Sequence, residues 1–250
     1  MNAKSLSNII AIASGKGGVG KTWLAITLSH LIARTGRKVL LFDGDIGLAN
    51  VDVQLGLTPA HDLSEVFSSG MPLRDVITPY APHFDIIVGR SGSGNLAALP
   101  AKTLASVKAQ LQELAQSYDF VFIDLGAGVE EHVRTLAAIA GRCIVVITDE
   151  PTSLTDAYAF IKLCTAAKFS PTIDVVVNQS ATLKEGEQTF HSLHKACSNF
   201  LKLSLLCLGI IRKDGKVKES IRSQTSLITR APNCTAASDA ATITIKLMQK

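Results

Sequence analysis

The chain has 250 residues, 47% of them hydrophobic and 18% charged, with a formal net charge of +4. That length supports one sizeable α/β core, and no apolar run approaches the ~18 residues of a membrane-spanning helix. The mild positive charge allows an acidic partner without demanding nucleic acid, and five scattered cysteines (Cys143, Cys164, Cys197, Cys207, Cys234) with no C-x-x-C pair argue against a disulfide framework or a zinc site and for reduced thiols.

Strands and helices alternate along the chain. Residues 9–13 read as a buried strand, 15–22 as a glycine-rich loop and 23–34 as a helix with apolar residues at helical spacing. Short, unalternating apolar runs at 38–42, 84–88, 120–123, 143–148, 173–177 and 205–211 suit parallel strands covered on both faces. Helices are predicted at 103–117, 130–140, 153–167, 186–201, 217–222 and 236–248. Pro151 and Asp214 stand where helix starts are expected. Ser91-Gly92-Ser93-Gly94 is too short a loop to divide the chain, so residues 1–250 are expected to form a single domain. The alternation implies a doubly wound, mostly parallel sheet with helices on both faces and right-handed crossovers. Ligands of such sheets lie at the carboxyl ends of the strands, which gathers the glycine loop, Asp43 and Asp124 on one edge. The N-terminus lacks the apolar core of a signal peptide, so a cytoplasmic location is expected.

Gly15-Lys16-Gly17-Gly18-Val19-Gly20-Lys21-Thr22 fits G-x-x-x-x-G-K-[ST], the phosphate-cradling P-loop, and lies between a strand and a helix as that motif requires. Glycines admit positive φ and close approach of a phosphate. Successive backbone N–H groups then line one anion-binding concavity, and the helix start adds its unpaired amides. Lys21 is placed to reach the β- and γ-phosphates and Thr22 to put its hydroxyl on Mg2+. Lys16 is a second lysine that a generic phosphate cradle does not need. The strand at 38–42 leads into Asp43-Gly44-Asp45, carboxylates positioned for the metal's water shell and for orienting the attacking water. Phe120-Val121-Phe122-Ile123-Asp124 has the pattern of a strand whose terminal Asp helps hold Mg2+. The following Gly126-Ala127-Gly128 reads as a small-residue loop able to respond to the γ-phosphate. Arg212, Lys213, Lys216, Lys218 and Arg222 form a late basic cluster, a solvated helix and its preceding loop or a contact for an anionic surface.

These segments resemble the MinD/ParA family of deviant-Walker ATPases. The stretch from Asp43 to Leu57 and the run Asp149-Glu150-Pro151-Thr152-Ser153-Leu154-Thr155-Asp156-Ala157-Tyr158 are most similar to its flagellar number and placement branch, the FlhG/FleN-like proteins. The resemblance implies ATP and Mg2+ as ligands, slow and partner-stimulated hydrolysis of ATP to ADP and phosphate, and an ATP-dependent homodimer. In that scheme Lys16 reaches across the dimer interface to the other subunit's ATP. Asp45 activates water, with Asp43 near the metal, and Thr22 and Asp124 take metal-site roles. Asn178 reads the adenine edge, a task suited to a side chain with donor and acceptor. Partners implied are flagellar switch or export proteins or a partner GTPase, with recruitment to the cell pole or flagellar base. Three departures stand out. Arg212 follows Gly209-Ile210-Ile211 where relatives often have proline, Leu125-Gly126 follow Asp124 where many have a hydroxyl and a small residue, and Trp23 replaces a small polar residue and is expected to pack. The eight residues before the first strand hold no glutamine-rich activating motif. Residues 236–250 lack the broad apolar stripe of an interfacial helix, so autonomous membrane binding is expected to be weak or absent. Two alternative readings remain: a ParA-like positioning ATPase acting on DNA or another cargo, and a nucleotide-binding regulator with little hydrolysis. An iron–sulfur carrier on the same fold is disfavoured for want of ligand spacing.

Overall fold

The computed structural model describes residues 7–45, 48–89, 100–166 and 171–249. In chain order these give β1 (Ile9–Ser14), α1 (Lys21–Ala33), β2 (Val39–Gly44), α2 (Val51–Leu55), α3 (Leu63–Ser69), β3 (Ile77–Ala81), β4 (Phe84–Ile87), α4 (Ala101–Leu114), β5 (Phe120–Ala127) and α5 (Glu131–Ala137). There follow β6 (Arg142–Ile147), α6 (Pro151–Thr165), β7 (Thr172–Ser180), α7 (Leu183–Leu201), β8 (Leu206–Arg212), α8 (Gly215–Arg222), α9 (Leu227–Arg230) and α10 (Thr235–Met248). The strands form one sheet in the order β3-β4-β2-β5-β1-β6-β7-β8. Every pairing is parallel except β3 with β4. β1 is central. The chain moves from it toward β2 and β4 on one side, returns through β5, and continues through β6 to β8 on the other. The glycine loop therefore leaves the sheet where the direction of winding reverses, the place such folds put their ligands.

Alternation along β1 shows why the sheet is covered on both faces. Ile9, Ala11 and Ala13 pack with Leu111, Val133, Phe160 and Leu193 from α4, α5, α6 and α7. Ile10 and Ile12 face the opposite layer, with Leu24, Leu28 and Ile32 of α1 and Ile243 and Leu247 of α10. Helix α1 is buried along almost its whole length, and Trp23 packs into this second layer as expected.

The predicted strands and helices all occur, with shifted ends. β2 and β5 run on through Asp43 and Asp124, so both carboxylates sit inside strands rather than after them, and Gly126 and Ala127 belong to β5 rather than to a loop. The sequence pattern missed β3, whose Pro79 and half-exposed residues suit only an edge strand. It also missed α2, α3 and α9, which are four to seven residues long. The Ser91–Gly94 stretch and the end of the 153–167 helix at Ala167 lie outside the described residues, as do Ile46 and Gly47.

One buried polar contact ties α1 to its neighbours. His30 Nδ1 lies 2.8 Å from Ser226 Oγ at the start of α9, and its ring packs against Tyr80 and Phe84. Burial, and secondarily Arg34, hold its pKa below the ordinary 6.5. The folded chain thus keeps His30 neutral at a pH where the unfolded chain takes up a proton. Stability from this site is complete above about 6.5 and is lost as pH falls below it toward the folded value. Urea melts of wild type between pH 7.5 and 5.5 are expected to show a steeper acid loss than those of His30→Gln.

Candidate functional site

The loop between β1 and α1 is shaped by glycine where no other residue fits. Gly18 and Gly20 have φ of 80° and 89°, in the left-handed region. A Cβ on Gly15 would fall 2.2 Å from the backbone carbonyl carbon of Asp156, so the loop rests directly on the α6 backbone. Gly20 is the N-cap of α1 and brings no side-chain acceptor to it. The first amides of α1 are thus left for a ligand, the arrangement that binds anions at helix starts.

Beneath the loop, Lys21 is buried and its Nζ donates to Asp124 Oδ1 at 3.0 Å. Asp124 is register partner of Asp43 on the adjacent strand, and both carboxylates are fully enclosed. Burial, and then the neighbouring Asp124 charge, push the Asp43 pKa up to about 7. Burial also raises that of Asp124, against the opposing pull of Lys21 and the Thr22 hydroxyl. Asp43 spends its oxygens on the segment that follows it. Oδ1 accepts from Asp45 N, and Oδ2 from Asn50 N and Val51 N, each at 3.2 Å. Asp124 Oδ2, by contrast, is buried with no hydrogen-bond partner among the described residues, an acceptor left open to a cation in a cradle lined by Thr22 and Lys21. The donor set of hydroxyl and carboxylates is the hard-oxygen chemistry Mg2+ prefers. Asp45 is half-buried, accepts from Leu48 N at 3.1 Å, and lies beside Gly126 of β5, where a Cβ would stand 3.4 Å from its Oδ1.

The two lysines have different surroundings. Lys16 is much more exposed than Lys21; its Nζ forms an ion pair with Glu150 and donates to Thr152 Oγ1 at 2.9 Å, both in its own chain. Lys16 and Glu150 line a cleft of about 350 Å³ with Gly18, Thr148, Gln179 and Lys213. Thr148 Oγ1 is buried there without a partner among the described residues. Asn178 is also buried, at the end of β7: its Nδ2 donates to Val19 O at 2.8 Å and its Oδ1 accepts from Gln179 N at 2.9 Å. A second, apolar groove of about 450 Å³ between α6 and α7, lined by Leu154, Tyr158, Leu193 and Phe200, contains none of the predicted site residues.

The departures also find places. Arg212 does not face the cleft as a free charge; its guanidinium is held by both oxygens of Asp239 on α10, at 3.0 and 2.7 Å. Lys216 pairs with Glu219 one turn along α8, so two of the five basic residues in the late cluster are neutralised by neighbours. Leu125 is buried in the core. Gln179, Glu150 and Thr152 are contacts of the loop that sequence reasoning missed, since each lies more than 130 residues from it.

A doubly wound sheet with this glycine loop, buried lysine and acidic pair on one edge defines a P-loop nucleotide-binding protein. The model of the CobQ/CobB/MinD/ParA nucleotide binding domain matches residues 10–227, and the chain belongs to that family. The antiactivator FleN of Pseudomonas aeruginosa is 34% identical over 228 residues, spanning 91% of this chain and 81% of FleN. The flagellum site-determining protein YlxH of Helicobacter pylori is 32% identical over 231 residues, 92% of this chain and 78% of YlxH. Among solved structures, MinD of Pyrococcus horikoshii complexed with Mg-ADP superposes with a TM-score of 0.81 at 22% identity, covering 96% of each chain. At that identity the likeness speaks for the fold. No helix among the described residues is long and apolar enough to cross a membrane.

Proposed function

We propose that this chain is a slow ATPase that works as a dimerisation switch and regulates flagellar number or placement. The observation that carries the switch is the division of labour between the lysines: Lys21 sits buried on Asp124 under the loop, while Lys16 stands at the cleft and is held by the exposed Glu150 and Thr152 of its own chain. A lysine so placed is free to exchange Glu150 for the phosphates of a facing subunit. ATP would then join two copies through unequal affinity for the paired and separate states, the only way a ligand shifts such an equilibrium. The loop amides, Lys21 and Lys16 would neutralise phosphate charge. Thr22 and Asp124 are the residues to hold Mg2+, with Asp43 acting through its water shell; when bound, the ion supplies neutralisation of charge on the β- and γ-phosphate oxygens. Asp45 would orient and deprotonate the attacking water.

The flagellar assignment is supported by the names of the two relatives, FleN and YlxH, over most of their length. The protein would act in the cytoplasm, recruited to the cell pole or flagellar base by flagellar switch or export proteins. The test is sedimentation with ATP and Mg2+. Wild type is expected to dimerise with ATP and to return to monomer with ADP. Lys16→Ala is expected to remain monomeric, and a dimer undiminished in that variant would end the switch mechanism.

A further inference from the structure

The phosphate loop is gripped by two consecutive side-chain amides. Asn178 Nδ2 donates to Val19 O at 2.8 Å, and Gln179 Nε2 donates to Gly18 O at 3.2 Å. Successive residues of a strand point to opposite faces, so a regular β7 offers the loop one of these side chains and not both. Gln179 breaks the alternation with φ of 59°, in the left-handed region that a non-glycine residue enters at a cost. The β7–β8 register shifts at the same place, between Val177 and Ser180. Asn178 Oδ1 holds the turn by accepting from Gln179 N at 2.9 Å. The loop is matched to the grip: a Cβ on Gly20 would fall 2.3 Å from Asn178 Nδ2. Backbone strain of this kind persists where the surroundings enforce it, and it concentrates at functional sites.

The consequence for the loop follows from peptide geometry. In a planar trans peptide the carbonyl and the next N–H point in opposite directions. Pinning the Gly18 and Val19 carbonyls on the amides therefore turns the N–H groups of Val19 and Gly20 away from β7, toward the concavity that receives an anion. We infer that Asn178 and Gln179 are positioning residues for the phosphate loop, acting through Val19 and Gly18, and that their contribution to affinity is independent of the base. This rests on the reading of the loop as a nucleotide site.

The experiment is calorimetric titration of wild type, Gln179→Gly and Asn178→Ala with Mg-ATP, Mg-GTP and tripolyphosphate, with a melting temperature for each protein. Gln179→Gly relieves the left-handed strain, so it is expected to melt no lower than wild type. Its affinity is nevertheless expected to fall about three- to tenfold, as the loss of one hydrogen bond allows, and by a similar factor for each ligand that wild type binds. Asn178→Ala is expected to lose more, again without regard to the base. A loss confined to ATP would assign Asn178 to the base edge and overturn the inference. So would a Gln179→Gly protein that binds ATP as wild type does. A wild-type protein that binds none of the three ligands would remove the nucleotide reading itself, and the inference with it.

Discussion

Replacing Lys21 by alanine is expected to weaken ATP binding by about a hundredfold or more, corresponding to ~3 kcal/mol of lost charge-assisted contact. The variant also separates two roles that the free protein combines. Lys21 Nζ is bonded to Asp124 Oδ1 at 3.0 Å in an almost dry setting. Removing one member of a buried pair leaves the other charge unpaired, at a cost of about 3–5 kcal/mol when it stays ionised. Burial already raises the Asp124 pKa and Lys21 is the main force opposing it, so in Lys21→Ala the carboxyl is expected to take up a proton and soften that penalty. The stability loss should therefore be larger at alkaline than at acidic pH. Adding Asp124→Asn removes the stranded charge and is expected to recover stability at high pH, while ATP affinity is no better than in the single variant, since Asp124 is also proposed to hold Mg2+. Denaturant melts and nucleotide titration on the single and double variants check both halves. Lys21→Ala binding ATP with wild-type affinity would remove the phosphate role.

Much of this architecture is legible because buried parallel strands write themselves as short apolar runs. Leu40-Leu41-Phe42 and Val121-Phe122-Ile123 are wholly enclosed, and no surface requirement dilutes their pattern. The glycine loop is legible for a different reason: positive φ at Gly18 and Gly20 and close approach at Gly15 and Gly20 leave few other residues possible. β3 was hidden because an antiparallel edge strand needs little burial and tolerates Pro79. Helix α3 had a readable start, Asp62 accepting from Ser64 N with Glu65 in the first turn, but too few residues to show a helical period.

The site divides along similar lines. Lys21, Asp43 and Asp124 follow from strand and loop ends, which topology brings to one edge whatever the details. The state of those groups does not. That Asp43 is spent on three backbone amides while Asp124 keeps one oxygen open depends on where the chain turns after β2. The partnership of Lys16 with Glu150 and of Gly18 with Gln179 joins residues far apart in the chain, and the left-handed turn at Gln179 has no glycine to announce it. Long-range contacts made by polar side chains carry no periodicity, so a single sequence offers no handle on them.

Asp45→Ala is expected to bind ATP within about twofold of wild type and to release phosphate at least about a hundredfold more slowly, the scale of a missing general base. Affinity should survive because, among the described residues, none of the hydrogen bonds of Asp45 goes to the loop. Its N–H rests on Asp43 and its Oδ1 accepts from Leu48 N. That second bond supplies a competing explanation: the side chain could matter by holding Leu48, which is 72% exposed, in place. Asp45→Asn separates the two. Its amide oxygen still accepts from Leu48 N, so Leu48 keeps its anchor, but the carboxylate that we propose takes a proton from water is gone. Single-turnover phosphate release from Asp45→Asn should then be as slow as from the alanine variant. Near-wild-type release from Asp45→Asn would mean that Asp45 acts through the shape of its loop, and the water-activating role would pass to another group.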